Sequence, residues 1–275
     1  MPPMKKGIDN RLGICLAGGG GLGFQHLGLL EALEELDIRP GLAAGTSSGA
    51  AMAAFYASGK TVGEIKKILG SFTWSQVVSP VIPLKGILST KKLEAFFKKA
   101  FGDIDITDLP VKLKIAATDL HSGELKAFVR GPLAKRLAAS CSVPGIFEPV
   151  KVDGRVYYDA GGIYNLPLEL MNGENLRIVI AGNTIGERGL MKNPRSVREV
   201  VYQAYLIRCK TLSEWRTGKR GWEGRKNERL VLIDYITEGA NPASLKESIS
   251  MIESARGLSL KALSDAFGIP HKGLK

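Results

Sequence analysis

The chain has 275 residues, 44% hydrophobic and 24% charged, a balance that suits a globular protein with a sizeable core and excludes a low-complexity chain. Its formal net charge of +11 favours anionic partners, but no zinc-finger or RNA-recognition signature accompanies the charge, so a nucleic acid is not expected. No apolar run reaches the roughly 18–20 residues of a membrane span, residues 1–11 lack a signal peptide's apolar core, and three widely spaced cysteines (Cys15, Cys141, Cys209) argue against disulfides or zinc. The expected location is the cytoplasm, with peripheral contact to a membrane and with neither metal nor cofactor.

Leu12–Ala17 reads as a buried strand ended by four consecutive glycines, and 23–36 carries leucines at helical spacing. A short strand over 41–44 leads into Gly45-Thr46-Ser47-Ser48-Gly49 and a helix over 48–58. This strand, glycine loop, helix, strand, turn, helix order is that of a parallel α/β sheet. Helices are expected near 61–70, 90–101 and 131–140, and strands at Lys112–Thr118 and Glu124–Val129 about a turn at His121-Ser122-Gly123. Residues 149–158 alternate around Asp153-Gly154, a hairpin signal. A strand at Leu176–Ala181, a helix at 195–214, a last strand at Leu230–Ile233 and a helix opened by Asn241-Pro242 complete the chain. The expected organisation is a basic tail (1–11), a catalytic core (12–185) and a helical part with one more strand (186–275) packed on it as the same domain.

Gly45 and Gly49 allow a tight turn that pushes the Ser47 hydroxyl outward at a helix N-terminus. The loop Gly18-Gly19-Gly20-Gly21-Leu22-Gly23 has three possible uses. It satisfies the dinucleotide pattern through Gly18, Gly20 and Gly23, but that use needs an acid at the end of the second strand, and Asp37 precedes that strand instead. A Walker loop is excluded because Phe24-Gln25 stands where Lys-Ser/Thr is required. The third use, binding a developing oxyanion on free backbone N–H groups, fits a serine nucleophile on the neighbouring strand.

A serine needs a base, and none of His26, His121 and His271 has a catalytic setting: a helix interior, a turn and a chain end. Asp159, after the apolar strand Val156-Tyr157-Tyr158 and before Ala160-Gly161-Gly162, is the carboxylate candidate; its plain alternative is a turn aspartate bonded to its own backbone.

Four blocks carry a family resemblance: the glycine loop through Gly28, Gly45–Gly49, Ala139–Phe147, and Asp159–Pro167 with Asn165. In this order they resemble the patatin-like phospholipases, serine lipid acyl hydrolases with a Ser-Asp dyad. The resemblance implies a three-layer α/β/α fold with a mostly parallel sheet, Ser47 as nucleophile and Asp159 as general base. It further implies an oxyanion hole from Gly18, Gly19, Gly20 and Gly21, with support from Gly23, Gly45, Gly49, Gly161 and Asn165, and a glycerolipid ester as substrate. Two positions depart from the family pattern: Leu22 stands where a cation is usual, and Ala160 replaces the first glycine after the aspartate. A catalytically altered relative that binds lipid or protein is therefore a second reading, and a nucleotide-dependent oxidoreductase a third.

Between Arg208 and Arg229 eight basic residues face three acidic ones, with Trp215 and Trp222 among them. The segment reads either as a solvated basic face or as a loop that meets an anionic membrane surface.

Overall fold

The computed structural model describes residues 7–80, 86–185, 195–217, 228–235 and 248–270. In chain order the elements are β1 (Asp9–Leu16), α1 (Gln25–Glu35), β2 (Pro40–Thr46), α2 (Ser48–Ala57), α3 (Val62–Gly70), α4 (Lys91–Phe101), β3 (Lys112–Asp119), β4 (Leu125–Phe128), α5 (Leu133–Ser140), β5 (Val150–Val152), β6 (Arg155–Asp159), α6 (Gly161–Tyr164), β7 (Ile178–Asn183), α7 (Val197–Thr217), β8 (Arg229–Asp234) and α8 (Ser248–Phe267). Short 3-10 turns, Gly20–Phe24 and Leu168–Met171 among them, link several of these.

The strands form one sheet in the order β5-β6-β3-β2-β1-β7-β8, with β4 also paired to β3. β3, β2, β1, β7 and β8 run parallel, and the β4, β5 and β6 pairings are antiparallel. Every residue of β2 is buried, as a parallel strand covered on both faces requires. Side chains alternate between faces along a strand. Ile14 and Leu16 accordingly join one cluster with Leu29, Phe55 and Leu133 from the helices, while Cys15 and Ala17 join another with Leu166, Leu168 and Met171. Helices α1, α2, α5 and α8 thus cover one face, and α6 with the turn at Leu168–Met171 covers the other. The fold is the expected three-layer α/β/α arrangement.

The last part of the chain is fastened to the first. A Cβ on Gly28 of α1 would lie 2.3 Å from the Ile252 carbonyl oxygen of α8, so these helices cross backbone to backbone. β1 begins at Asp9, inside the segment expected to be a tail. α8 begins at Ser248 among the described residues, and the helix start expected at Asn241-Pro242 lies outside them.

Candidate active site

β1 and β2 pair in register from Gly13↔Leu42 to Leu16↔Gly45, so the loops that leave their C-terminal ends are neighbours. One is the glycine loop and the other carries Ser47. At Ser47 the backbone takes φ 55 and ψ −126, a conformation that costs a non-glycine residue roughly 1–3 kcal/mol and that the surroundings must enforce. They do so by hydrogen bonds. The Ser47 N–H donates to Ser140 Oγ at 2.9 Å, and the Ser140 hydroxyl donates to the Ala116 carbonyl at 2.6 Å. The Thr46 hydroxyl donates to the Tyr164 carbonyl at 2.7 Å. Ser140 lies in the Ala139–Phe147 block, yet its clamping role had no sequence signal beyond that placement.

The pairing of β3 with β6, Ala117↔Asp159, brings Asp159 to the same end of the sheet. Its N–H donates to the Ser142 carbonyl at 3.0 Å, and its Oδ1 accepts the Gly161 N–H at 2.7 Å. The carboxyl is 2% exposed and Ser47 is 8% exposed. Burial pushes the Asp159 carboxyl up to about 6, opposed by hydrogen bonding from the Ser47 hydroxyl and the Gly161 N–H. Ser140 Oγ thus holds the Ser47 N–H and the Ser142 carbonyl holds the Asp159 N–H, so one short segment brings the two residues to the same end of the sheet.

The glycine loop closes the third side. A Cβ on Gly18 would sit 3.2 Å from Ser47 Cβ, so a side chain there would push the loop or Ser47 aside by a few tenths of an ångström. The Gly18 N–H donates to the Asn165 carbonyl at 3.0 Å and is already engaged. The first hydrogen bond of the turn Gly20–Phe24 runs from the Leu22 N–H to the Gly19 carbonyl, so the donors left are those of Gly19, its N-cap, Gly20, which has φ +59, and Gly21. The loop is anchored behind: the Ala17 N–H donates to the Gly182 carbonyl at 3.0 Å, and the Thr184 hydroxyl donates to the Gly18 carbonyl.

The histidines are elsewhere. His26 is fully buried, with Nε2 2.8 Å from the Ala17 carbonyl oxygen and Nδ1 3.3 Å from the Tyr235 hydroxyl. Burial brings its pKa down to about 4, so the neutral ring supports the root of the glycine loop. His121 is exposed in its turn, and His271 lies outside the described residues. Asp37, the acid that a nucleotide would need, precedes β2 and is paired with Arg39, at the far end of the strand from Ser47. Among the described residues no group of three or more His, Cys, Asp or Glu could hold a metal ion.

Both departures from the family pattern find a local account. Leu22 is fully buried and packs in the core, where a cation would be costly. Ala160 has φ −73 and ψ −9, an ordinary helical conformation that needs no glycine. The glycines after it are the constrained ones, because α7 crosses there. A Cβ on Gly161 would lie 2.5 Å from the Tyr205 hydroxyl, and one on Gly162 would lie 2.5 Å from an Arg208 guanidinium nitrogen. That α7 covers this side of the site had no signal in the sequence.

A serine on a strained strand-to-helix turn, a buried carboxylate and unengaged backbone N–H groups thus lie together at one end of a mostly parallel α/β sheet. Residues 14–171 match the family model described as patatin-like phospholipase, and the chain belongs to that family. It is 33% identical over 173 residues to an uncharacterised NTE family protein of Mycobacterium bovis, covering 62% of this chain and 48% of that one. It is 29% identical over 176 residues to the lysophospholipase NTE1 of Eremothecium gossypii, covering 62% of this chain and 12% of that one. This chain thus aligns with less than half of each of these relatives. Among solved structures it resembles VipD from Legionella pneumophila, with TM-score 0.57 and 15% identity over 94% of this chain and 67% of that one. It also resembles the type III effector protein ExoU, with TM-score 0.51 and 14% identity over 93% and 53%.

Proposed function

We propose that the protein is a lipid acyl hydrolase that cleaves carboxylic esters of glycerolipids through Ser47, Asp159 and an acyl-enzyme intermediate. The observation that carries this reading is Ser47 on its strained turn, held with the buried Asp159 carboxylate at the same end of the sheet by Ser140 and Ser142. Relatives named as lysophospholipase and as patatin-like phospholipase support the substrate class.

In the first step Asp159 accepts the Ser47 proton as Oγ attacks the ester carbonyl, and the Gly19 and Gly20 N–H groups hold the oxyanion. The alcohol leaves with that proton. Water, deprotonated by Asp159, then releases the acid. A carboxylate is a weak base for a hydroxyl, and burial narrows the mismatch by raising its proton affinity. The direct test is a fluorophosphonate probe: labelling is expected at Ser47 and absent in Ser47→Ala. An unlabelled wild-type protein would leave the altered, binding-only relative as the better account.

Because Asp159 must be ionised to act, kcat/KM for a neutral p-nitrophenyl ester is expected to rise with pH through about 6 and then level off. A profile flat from pH 5 to 8 contradicts the assignment of the base.

The basic segment 208–229 is proposed to meet anionic membrane surfaces. Its described part, 208–217, belongs to α7, which runs three residues past the helix expected over 195–214, and Trp215 there is 63% exposed. Trp222 and the rest of 218–227 lie outside the described residues. Among the described residues no helix is long and apolar enough to cross a membrane. Co-sedimentation with anionic liposomes is expected at low salt and reduced at high salt. Binding indifferent both to salt and to charge reversal of Arg216, Lys219, Arg220 and Arg225 refutes the contact.

A further inference from the structure

Asn165 follows α6 and is 2% exposed. Its backbone carbonyl accepts the Gly18 N–H, but among the described residues neither Oδ1 nor Nδ2 of its side chain has a hydrogen-bond partner. Its position is central. Oδ1 lies 3.0 Å from where a Cβ on Gly18 would be, a point itself 3.2 Å from Ser47 Cβ. It also lies 3.4 Å from where a Cβ on Gly161 would be, a point 3.0 Å from Asp159 Oδ1. The amide oxygen therefore lies within about 6 Å of both Ser47 Cβ and Asp159 Oδ1.

Leaving a buried polar group unpaired costs about 1–3 kcal/mol, and this side chain buries two such atoms. A leucine would fill a similar volume without that cost. For folding alone the asparagine is a poor choice, so its partner should arrive with the reaction. The oxyanion is an unsuitable partner, because it belongs beside the Gly19 and Gly20 amides, whereas Asn165 borders Gly18 and Gly161 on the carboxylate side. A water molecule has the matching chemistry; both amide atoms are closed to it in the resting fold, so acylation must open its place. Besides the carboxylate that takes its proton, it can use one further donor and one further acceptor, and a carboxamide offers both.

We propose that the Asn165 side chain seats the water that hydrolyses the acyl-enzyme, an inference that rests on the Ser47–Asp159 reading. The water oxygen bonds to the acyl carbon as its proton passes to Asp159. The tetrahedral intermediate then collapses, the Ser47 Oγ–carbon bond breaks, and the same proton returns to Oγ as the acid leaves. Asn165 transfers no proton. It fixes the direction of attack, and its loss should impair deacylation far more than acylation.

The test uses Asn165→Leu and, as a smaller hydroxyl-bearing substitute, Asn165→Ser. For Asn165→Leu, fluorophosphonate labelling of Ser47, which needs no water, is expected to stay within about threefold of wild type. Steady-state turnover of p-nitrophenyl butyrate should fall on the order of 100-fold, the scale of a misplaced reactant. Intact-mass analysis should show butyryl-enzyme accumulating, and hydroxylamine, a strong nucleophile that does not depend on the seat, should restore p-nitrophenol release. Asn165→Ser should recover part of the turnover, and it is read alone if the leucine variant does not fold. Unchanged turnover, or labelling and turnover slowed by the same factor, overturns the proposal. A wild-type protein that the probe does not label removes the dyad reading, and this proposal with it.

Discussion

Asparagine in place of Asp159 is expected to abolish ester hydrolysis and, at pH 8, to make the protein harder to unfold. The activity loss would follow from removing the carboxylate proposed as base, and should be on the order of 1,000-fold or more in kcat/KM, matched by Ser47→Ala. The stability gain follows from burial. An aspartate in an unfolded chain titrates near 3.9, whereas in the fold burial pushes Asp159 up to about 6. A pKa raised by folding contributes stability that is complete below the unfolded value and is lost as pH rises through the folded one. At pH 8 the native protein therefore carries an ionised carboxylate that the fold disfavours by up to about 3 kcal/mol, at 1.36 kcal/mol per unit. Asparagine carries no charge and can still accept the Gly161 N–H. The gain in melting temperature should amount to a few degrees at pH 8 and vanish near pH 4. An equal shift at both pH values would mean that ionisation is not its cause.

Alanine at Gly49 should be the most damaging single-methyl change in the chain. Its Cβ would lie 2.2 Å from the Leu16 carbonyl oxygen and 2.4 Å from that of Ala17, both backbone atoms of the strand that launches the glycine loop. Neither can yield without shifting β1 in the sheet. A cost of about 4 kcal/mol or more is expected, with low soluble yield or a lost cooperative transition in urea. Gly257→Ala is the matched control. It lies within α8 with nothing within 4 Å of the added carbon, and should gain up to about 1 kcal/mol from helix propensity. If both variants unfold at the same urea concentration, the close approach at Gly49 is not what holds α2 against β1.

How much of this was legible in the sequence depends on the range of the interaction. β1, β2, α2 and the β5–β6 hairpin announce themselves through apolar runs and turn residues, and the observed elements fall close to their expected bounds. The positions of Ser47 and Asp159 were legible as local patterns, a glycine-flanked serine after a strand and an acid at a strand end before small residues. Their meeting was legible only through the family resemblance, because the antiparallel pairing of β6 with β3 leaves no mark in either segment. Ser140 and Thr184 are less visible still: each acts through one hydroxyl on a distant backbone group, and such a serine or threonine looks like any other until the fold is known. Tyr205 belongs to a helix that was anticipated, but helical periodicity says nothing of what a helix crosses.

The family match ends at residue 171, and all four recognisable blocks lie before it. The glycine loop nevertheless hangs from groups beyond that point: the Gly182 carbonyl, the Thr184 hydroxyl, and Tyr235 through His26. A fragment cut at 171 would keep Ser47, Asp159 and the glycine loop and lose the frame that aligns them. The same reasoning limits transplantation. A loop grafted between relatives is expected to work only if the recipient's β7 and β8 offer equivalent attachment points, so the unit to transplant is the sheet's far edge as much as the motif it supports.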